Sequence, residues 1–381
     1  MNSLPANFEP VWAIGFMTGT SVDAVDAAMV LTDGERVLDL GPCASIDYSS
    51  AERDMVHAAV QAARDWNWKG PAPETAFDAA RRIAVARHRD ALDSILADWT
   101  GPRPALAGVH GQTVLHRRPA NGMRGATLQI VDAAGMADAL QMPVVFDFRS
   151  ADIAAGGEGA PLAPVYHRAL LDRSQLEKSA VVNLGGVANV TFCEADTPLI
   201  AFDTGPANGP IDEWIAGHGL GVRDEDGRLA ASGRVHRGHL DQILDHVYFD
   251  EPPPKSLDRY DFNANLVRGL SPADGAATLT ALCAESLARA FEHAAVPVDR
   301  IVLCGGGRHN PALVSAIEAA VPCRVVSAEA VGWRGDSIEA EAFAYLAVRS
   351  MRGLPISFSG TTGVPDPLSG GQMIEPRSMP I

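Results

Sequence analysis

Asp203 ends an apolar strand, Ile200-Ala201-Phe202, and is followed by Thr204-Gly205-Pro206. A carboxylate held at the end of a sheet suits a general base that takes a proton from a hydroxyl or a water. The same carboxylate can instead do no more than hold turn N–H groups. Near the start of the chain, Ile14 to Val30 sets two apolar runs around the turn Thr18-Gly19-Thr20-Ser21-Val22-Asp23. Such a turn gathers backbone N–H groups at one point, which suits phosphate oxygens, and Asp23 with Asp26 has the chemistry for hydrated Mg2+. An ordinary polar hairpin turn accounts for the same residues. His110-Gly111-Gln112-Thr113 presents an imidazole, an amide and a hydroxyl after a short strand. That set hydrogen-bonds sugar hydroxyls or is satisfied within the fold. Asp147, Arg149 and Asp152 read as an ion-pair cluster or as a group that positions an anion. Glu339 and Glu341 open the last helix, where their charge suits the helix dipole.

Four glycine-bearing turns each close an apolar strand: Gly19, Gly185-Gly186, Gly205 and Gly305-Gly306-Gly307. Glycine there permits positive φ and close backbone approach to a ligand. Two of the turns sit in matched strand–turn–strand segments, 14–30 and 180–192, which points to a nucleotide held between two similar domains. No G-x-x-x-x-G-K-[ST], no strand followed by G-x-G-x-x-G, and no H-E-x-x-H or paired C-x-x-C occurs. The net charge of −16 over 381 residues argues against a nucleic-acid or anionic-membrane partner. Five scattered cysteines without metal-ligand spacing fit thiols in a reducing compartment. The chain carries neither a signal-peptide pattern nor an apolar run of transmembrane length, so a cytoplasmic location is expected.

The elements needed to position these residues alternate as in an α/β protein. Strands are expected at 37–46, 105–109, 127–131, 143–148 and 300–304, beside the two hairpins. Helical periodicity runs through 51–99, Asp132 caps a helix over 133–140, and Ser271-Pro272 opens a long helix reaching Ala294. Pro311 to Ala320 and Ile338 to Met351 are further helices. The glycine-rich segment 154–162 is taken as the domain crossing, giving domains 1–150 and 151–381, with helix 338–351 packing near the junction. Glu251-Pro252-Pro253-Pro254-Lys255-Ser256 reads as a stiff surface connector. The tail, 353–381, reads as an ordered loop or a frayed end.

In order along the chain, Met17 to Asp26, His110-Gly111-Gln112-Thr113, Asp147-Phe148-Arg149, Ala155 to Leu162, Asn183-Leu184-Gly185-Gly186, Phe202 to Asn208, Cys304 to Gly307 and Glu339 to Ala344 form a set. This set resembles the anhydro-N-acetylmuramic acid kinase family. The resemblance implies a two-domain actin-like fold, a duplicated ribonuclease H-like α/β architecture with an interdomain nucleotide cleft. It implies an ATP- and Mg2+-dependent enzyme of cell-wall recycling, opening 1,6-anhydro-N-acetylmuramic acid and phosphorylating O6. ATP is then expected at Gly19, Thr20, Ser21, Val22, Asp23, Ala24, Val25 and Asp26, and at Gly185, Gly186, Gly305, Gly306 and Gly307. Asp23 is the expected metal ligand, and Asp203 the base that activates water at C1. His110, Gln112, Arg149 and Glu339 are expected at the sugar. Four positions depart from the family pattern: Ala24 and Ala207 replace glycines, and Ser150-Ala151 replace basic residues after Arg149. The last change keeps a levoglucosan-type anhydrosugar open as substrate. A plain sugar kinase of the same superfold fits the residues too, as does a chaperone-like nucleotide-gated module. The only expected partner is a small anhydrosugar, and a homodimer stays open.

Overall fold

Two glycines, Gly15 and Gly108, face each other in register on adjacent parallel strands of the first sheet. A computed structural model describes residues 8–19, 21–119, 123–193, 197–258 and 260–377. Thr20 of the expected phosphate turn therefore lies outside the described residues. The chain divides into two compact units. The first comprises 1–173, 339–359 and 363–381, and the second 174–338 and 360–362.

The first unit opens with β1 (Val11–Thr18), β2 (Ala24–Thr32) and β3 (Val37–Asp47), paired antiparallel as expected for the opening hairpin. The helical periodicity of 51–99 resolves into two helices, α1 (Ser50–Trp66) and α2 (Glu74–Ala97). Ser49 and Glu52 form a capping box at the start of α1, and Asn67 ends it with φ 41°. Pro71 and Pro73 in the connection prevent a continuous helix. β4 (Leu106–Val109) pairs parallel with β1, and β5 (Gln112–Arg117) with β6 (Ala126–Ile130) forms a separate ribbon. Asp132 caps α3 (Ala133–Leu140) as expected, its side chain accepting from Gly135 N–H. β7 (Val144–Phe146) adds parallel to β4, and α4 (Ser150–Ala154) and α5 (Pro164–Ser174) follow. Ile14, Phe16, Val25, Ala27 and Met29 bury one sheet face against Val56, Phe77, Ile83 and Leu92 of the two long helices.

The second unit repeats the pattern. It contains β8 (Ser179–Leu184), β9 (Val187–Phe192), β10 (Ile200–Pro206), α6 (Asn208–Gly217), α7 (Arg228–Ser232) and α8 (Arg237–Leu244). Then come α9 (Pro272–Ala290), β11 (Arg300–Cys304), α10 (Pro311–Ala320) and β12 (Arg324–Ser327). The sheet orders are β13-β7-β4-β1-β2-β3 and β10-β9-β8-β11-β12, where β13 (Gln372–Ile374) is an added edge. Apart from that edge, both sheets run as an antiparallel three-strand meander extended by two parallel strands. The two units thus repeat one α/β architecture, as the resemblance implies.

The C-terminal segment departs from the expected boundary at 150. α11 (Ile338–Met351) lies directly on β1 and β4 of the first unit. A Cβ at Gly15 would stand 1.9 Å from the Ala340 carbonyl oxygen, and one at Gly108 would stand 2.0 Å from that of Phe343. Only glycine lets the helix backbone come that close. Tyr166 O–H donates to the fully buried Glu341 at 2.5 Å, and Arg349 donates to the carbonyls of Gly34 and Pro355. Beyond α11, β13 pairs with β7, and Gln372 donates to Asp147 Oδ2. The tail is thus the sheet's edge strand, which chain order cannot show. Gly15→Ala or Gly108→Ala should lower the urea midpoint by the equivalent of about 3 kcal/mol or more, because backbone must move. Gly217→Ala, where nothing lies within 4 Å, should leave it nearly unchanged.

Candidate functional site

In the first unit the expected residues converge at the end of β1. Val22, rather than Ala24, carries the positive φ of the turn, 58°, so alanine at 24 is unstrained. Val22 N–H donates to the Gly19 carbonyl, and Gln112 Nε2 reaches the same carbonyl at 3.3 Å. Ser21 and Asp23 are exposed, Ala24 and Asp26 are half-buried, and Val25 packs in the core. The Thr18 hydroxyl and Gln112 Oε1 are buried beside the turn without a partner among the described residues. Buried polar atoms normally find one, so such atoms mark where a ligand can supply it.

His110 follows β4, its N–H bonded to the Phe16 carbonyl and its ring 4.7 Å from that of Phe343 on α11. Arg149 donates to His110 Nε2 from Nε at 3.2 Å and from Nη2 at 2.9 Å, and from Nη1 to the Gly159 carbonyl at 2.7 Å. Nε2 is therefore the acceptor and Nδ1 carries the proton. Burial, reinforced by the Arg149 charge, holds the imidazole well below its ordinary range. Asp152 is buried inside the glycine-rich segment, accepting Gly159 N–H at 2.7 Å. That segment wraps a carboxylate within the first unit instead of crossing between units. Glu339 is exposed at the start of α11.

In the second unit, register sets the geometry. Asp203 pairs with Asn189, Asn189 with Asn183, and Asn183 with Cys304, so a polar row crosses four strands and runs into Gly305. The alternate residues Val182, Ala188, Val190 and Phe202 face the core beneath α9 and α10. The N–H groups of Ala207, Asn208 and Gly209 donate to the carbonyls of Gly185 and Gly186, locking α6 onto the β8–β9 turn. Ala207 has φ −123°, so this second replaced glycine is not one that a positive φ requires. Gly305 and Gly307 are tight: added Cβ atoms would meet Asn183 Oδ1 at 2.3 Å and Leu184 Cβ at 2.6 Å. Gly185 would meet nothing nearer than 3.6 Å, Gly186 nothing nearer than 4.0 Å, and Gly306 nothing within 4 Å. Two glycines of the triplet thus serve packing, while the others leave backbone open to a ligand. Asp203, 9% exposed, accepts Leu257 N–H on Oδ2 at 2.8 Å.

Arg308 has no motif to announce it, yet it braces the triplet. Its buried side chain donates to the Gly305 carbonyl at 2.9 Å and pairs with Glu329 and Asp336 at 2.7 Å each. These bonds to Arg308 lower both carboxylates. Arg308→Met should reduce nucleotide affinity measured by titration calorimetry and lower stability by about 1–2 kcal/mol, because the abandoned carboxylates are themselves half-exposed.

Burial also lowers His88, His116 and His167 to about 4, with Arg149 adding to the effect on His116. With His110, all four belong to the first unit. Each folded value lies below the unfolded one, so the folded state excludes a proton that the unfolded chain accepts. Stability is complete above about pH 6.5 and drains as pH falls toward 4, by up to about 1.4 kcal/mol per group for each pH unit. The urea midpoint should drop through that window; a flat midpoint would contradict the burial of these rings.

The family model described as "Anhydro-N-acetylmuramic acid kinase" matches residues 11–375. The curated relative of that name from Caulobacter vibrioides is 50% identical over 366 residues, covering 95% of this chain and 98% of the relative. That from Phenylobacterium zucineum is 48% identical over 369 residues, covering 96% and 99%. That from Rhizobium rhizogenes is 45% identical over 375 residues, covering 96% and 100%. With its motifs seated on the paired sheets described above, the chain belongs to the anhydro-N-acetylmuramic acid kinase family.

Proposed function

We propose that this kinase opens the 1,6-anhydro bridge of 1,6-anhydro-N-acetylmuramic acid with water and phosphorylates O6, giving N-acetylmuramic acid 6-phosphate and ADP in the cytoplasm. The observation that carries the residue roles is the polar row of the second sheet: Asp203 lies within β10 rather than at its end, beside a bulge and in register with Asn189 and Asn183. In this reading Asp203 takes a proton from the water that attacks C1, the C1–O6 bond breaks, and O6 becomes the acceptor of the γ-phosphoryl group.

Each unit contributes what phosphoryl transfer needs, which is positioning and charge more than covalent chemistry. Within the second unit the open backbone at Gly185, Gly186 and Gly306 suits phosphate oxygens; within the first, the turn from Gly19 with the buried Thr18 hydroxyl suits them as well. Mg2+ bound there would neutralise phosphate charge. Among the described residues no group of three or more His, Cys, Asp or Glu could hold a metal. In this reading Asp23 shares the ion with phosphate oxygens, a common Mg2+ arrangement. On the sugar side, His110 offers Nδ1–H as a donor held in one tautomer by Arg149, and Gln112 offers Oε1. Glu339, exposed at the N-terminus of α11, would contact the sugar, as the resemblance implies. No described helix is long and apolar enough to cross a membrane.

Asp203→Asn should cut turnover by about two to four orders of magnitude while leaving ATP binding nearly intact, as expected for loss of a general base. In 18O-labelled water the wild-type product should carry the label at C1. An active Asp203→Asn, or product without label, would sink the hydrolytic reading and favour a plain sugar kinase.

A further inference from the structure

β10 is the outer strand of its sheet, and at Asp203 its ladder is interrupted by a bulge between Asp203 and Gly205. A strand edge at that place leaves a general base poorly fixed unless something else holds it. The chain from Tyr248 to Leu257 does so. The Asp203 N–H donates to the Lys255 carbonyl at 3.1 Å, and Leu257 N–H donates to Asp203 Oδ2 at 2.8 Å. Tyr248 O–H donates to the Asp203 carbonyl. Lys255 Nζ donates to the Tyr248 carbonyl at 2.8 Å, closing the strap on itself.

This proline-rich run, expected to be a surface connector, has a buried lysine at its centre. Lys255 is 5% exposed, with Nζ 4.6 Å from the Tyr248 ring centroid and 5.6 Å from that of Phe202. A buried ammonium costs several kcal/mol of desolvation unless it is well partnered, and an apolar side chain would fill the same space at less cost. Its partners include one carbonyl and two ring faces, all on residues that touch Asp203 or adjoin it in sequence. We propose that Lys255 is a positioning residue for Asp203: its ammonium pins the 248–257 strap, and the strap's backbone sets the place and orientation of the carboxylate.

This rests on the reading of Asp203 as the base. Lys255 itself touches no reacting atom. The charged or titratable neighbours include Tyr248 on the strap and His293 after α9, whose ring packs edge-on to Phe202. His293 is lowered by burial and then by the Lys255 charge. A slack strap weakens the Leu257 N–H bond that favours the ionised carboxylate, so the base should titrate higher.

Steady-state kinetics with both substrates, on the full chain, decide the matter. Lys255→Met should lower kcat about tenfold, leave both KM values within about twofold, and move the acid limb of the kcat profile up by about half a pH unit. Tyr248→Phe, one atom smaller, should shift kcat and the acid limb the same way by less. If Lys255→Met fails to fold, Tyr248→Phe alone decides. Folded variants with unchanged kcat and acid limb, beside an inactive Asp203→Asn, would overturn the positioning role while leaving the base intact. An active Asp203→Asn would remove both.

Discussion

Gly15 and Gly108 impose the constraint on which the first unit depends: a helix backbone occupies the layer where side chains normally separate helix from sheet. Because α11 sits that low, Phe343 reaches the His110 ring, Glu341 reaches Tyr166, and Glu339 is carried to the head of the helix. β1 is consequently covered on both faces, which explains why its buried stretch runs Ala13 to Phe16 without alternation. Enlarging either glycine would disturb the helix and, through Phe343, the imidazole of His110.

The second unit solves a similar problem with hydrogen bonds instead of close packing. Its polar row sits on the sheet face opposite the α9–α10 core and leads into the turns after β8 and β11. The turns are then tied to one another. α6 donates into the Gly185-Gly186 carbonyls, the Gly305–Gly307 triplet packs on Leu184, and Arg308 holds the Gly305 carbonyl. Fixing polar groups in place before a ligand arrives is the usual way an enzyme avoids reorganisation during reaction.

What was legible in the sequence was local. The glycine turns at Gly19, Gly185-Gly186 and Gly305–Gly307, the caps at Asp132 and Ser271, and the two matched hairpins are written in neighbouring residues and appear where expected, whereas Gly205 lies paired within β10 instead of in a turn. What was not legible depends on distant partners. Glu341 reads as a dipole-compensating acid, yet it is buried against Tyr166, 175 positions away. Proline content marks 251–256 as a surface connector, although its backbone completes the edge of β10. Arg308 sits in no motif because its three partners come from separate loops. The same limit applies to the unit boundary, since nothing near residue 150 announces that residues after 338 return to the first sheet.

That return has a consequence for biosynthesis. The second unit is contiguous apart from residues 360–362, so nearly all of it is available for folding once Ile338 has left the ribosome. The first unit begins earlier yet must wait for α11 and β13, holding an unfilled glycine seat and an open sheet edge while the whole of the second is translated. During that interval the nascent chain is most exposed to mispairing and chaperone capture, so the half that emerges first is the half that matures last.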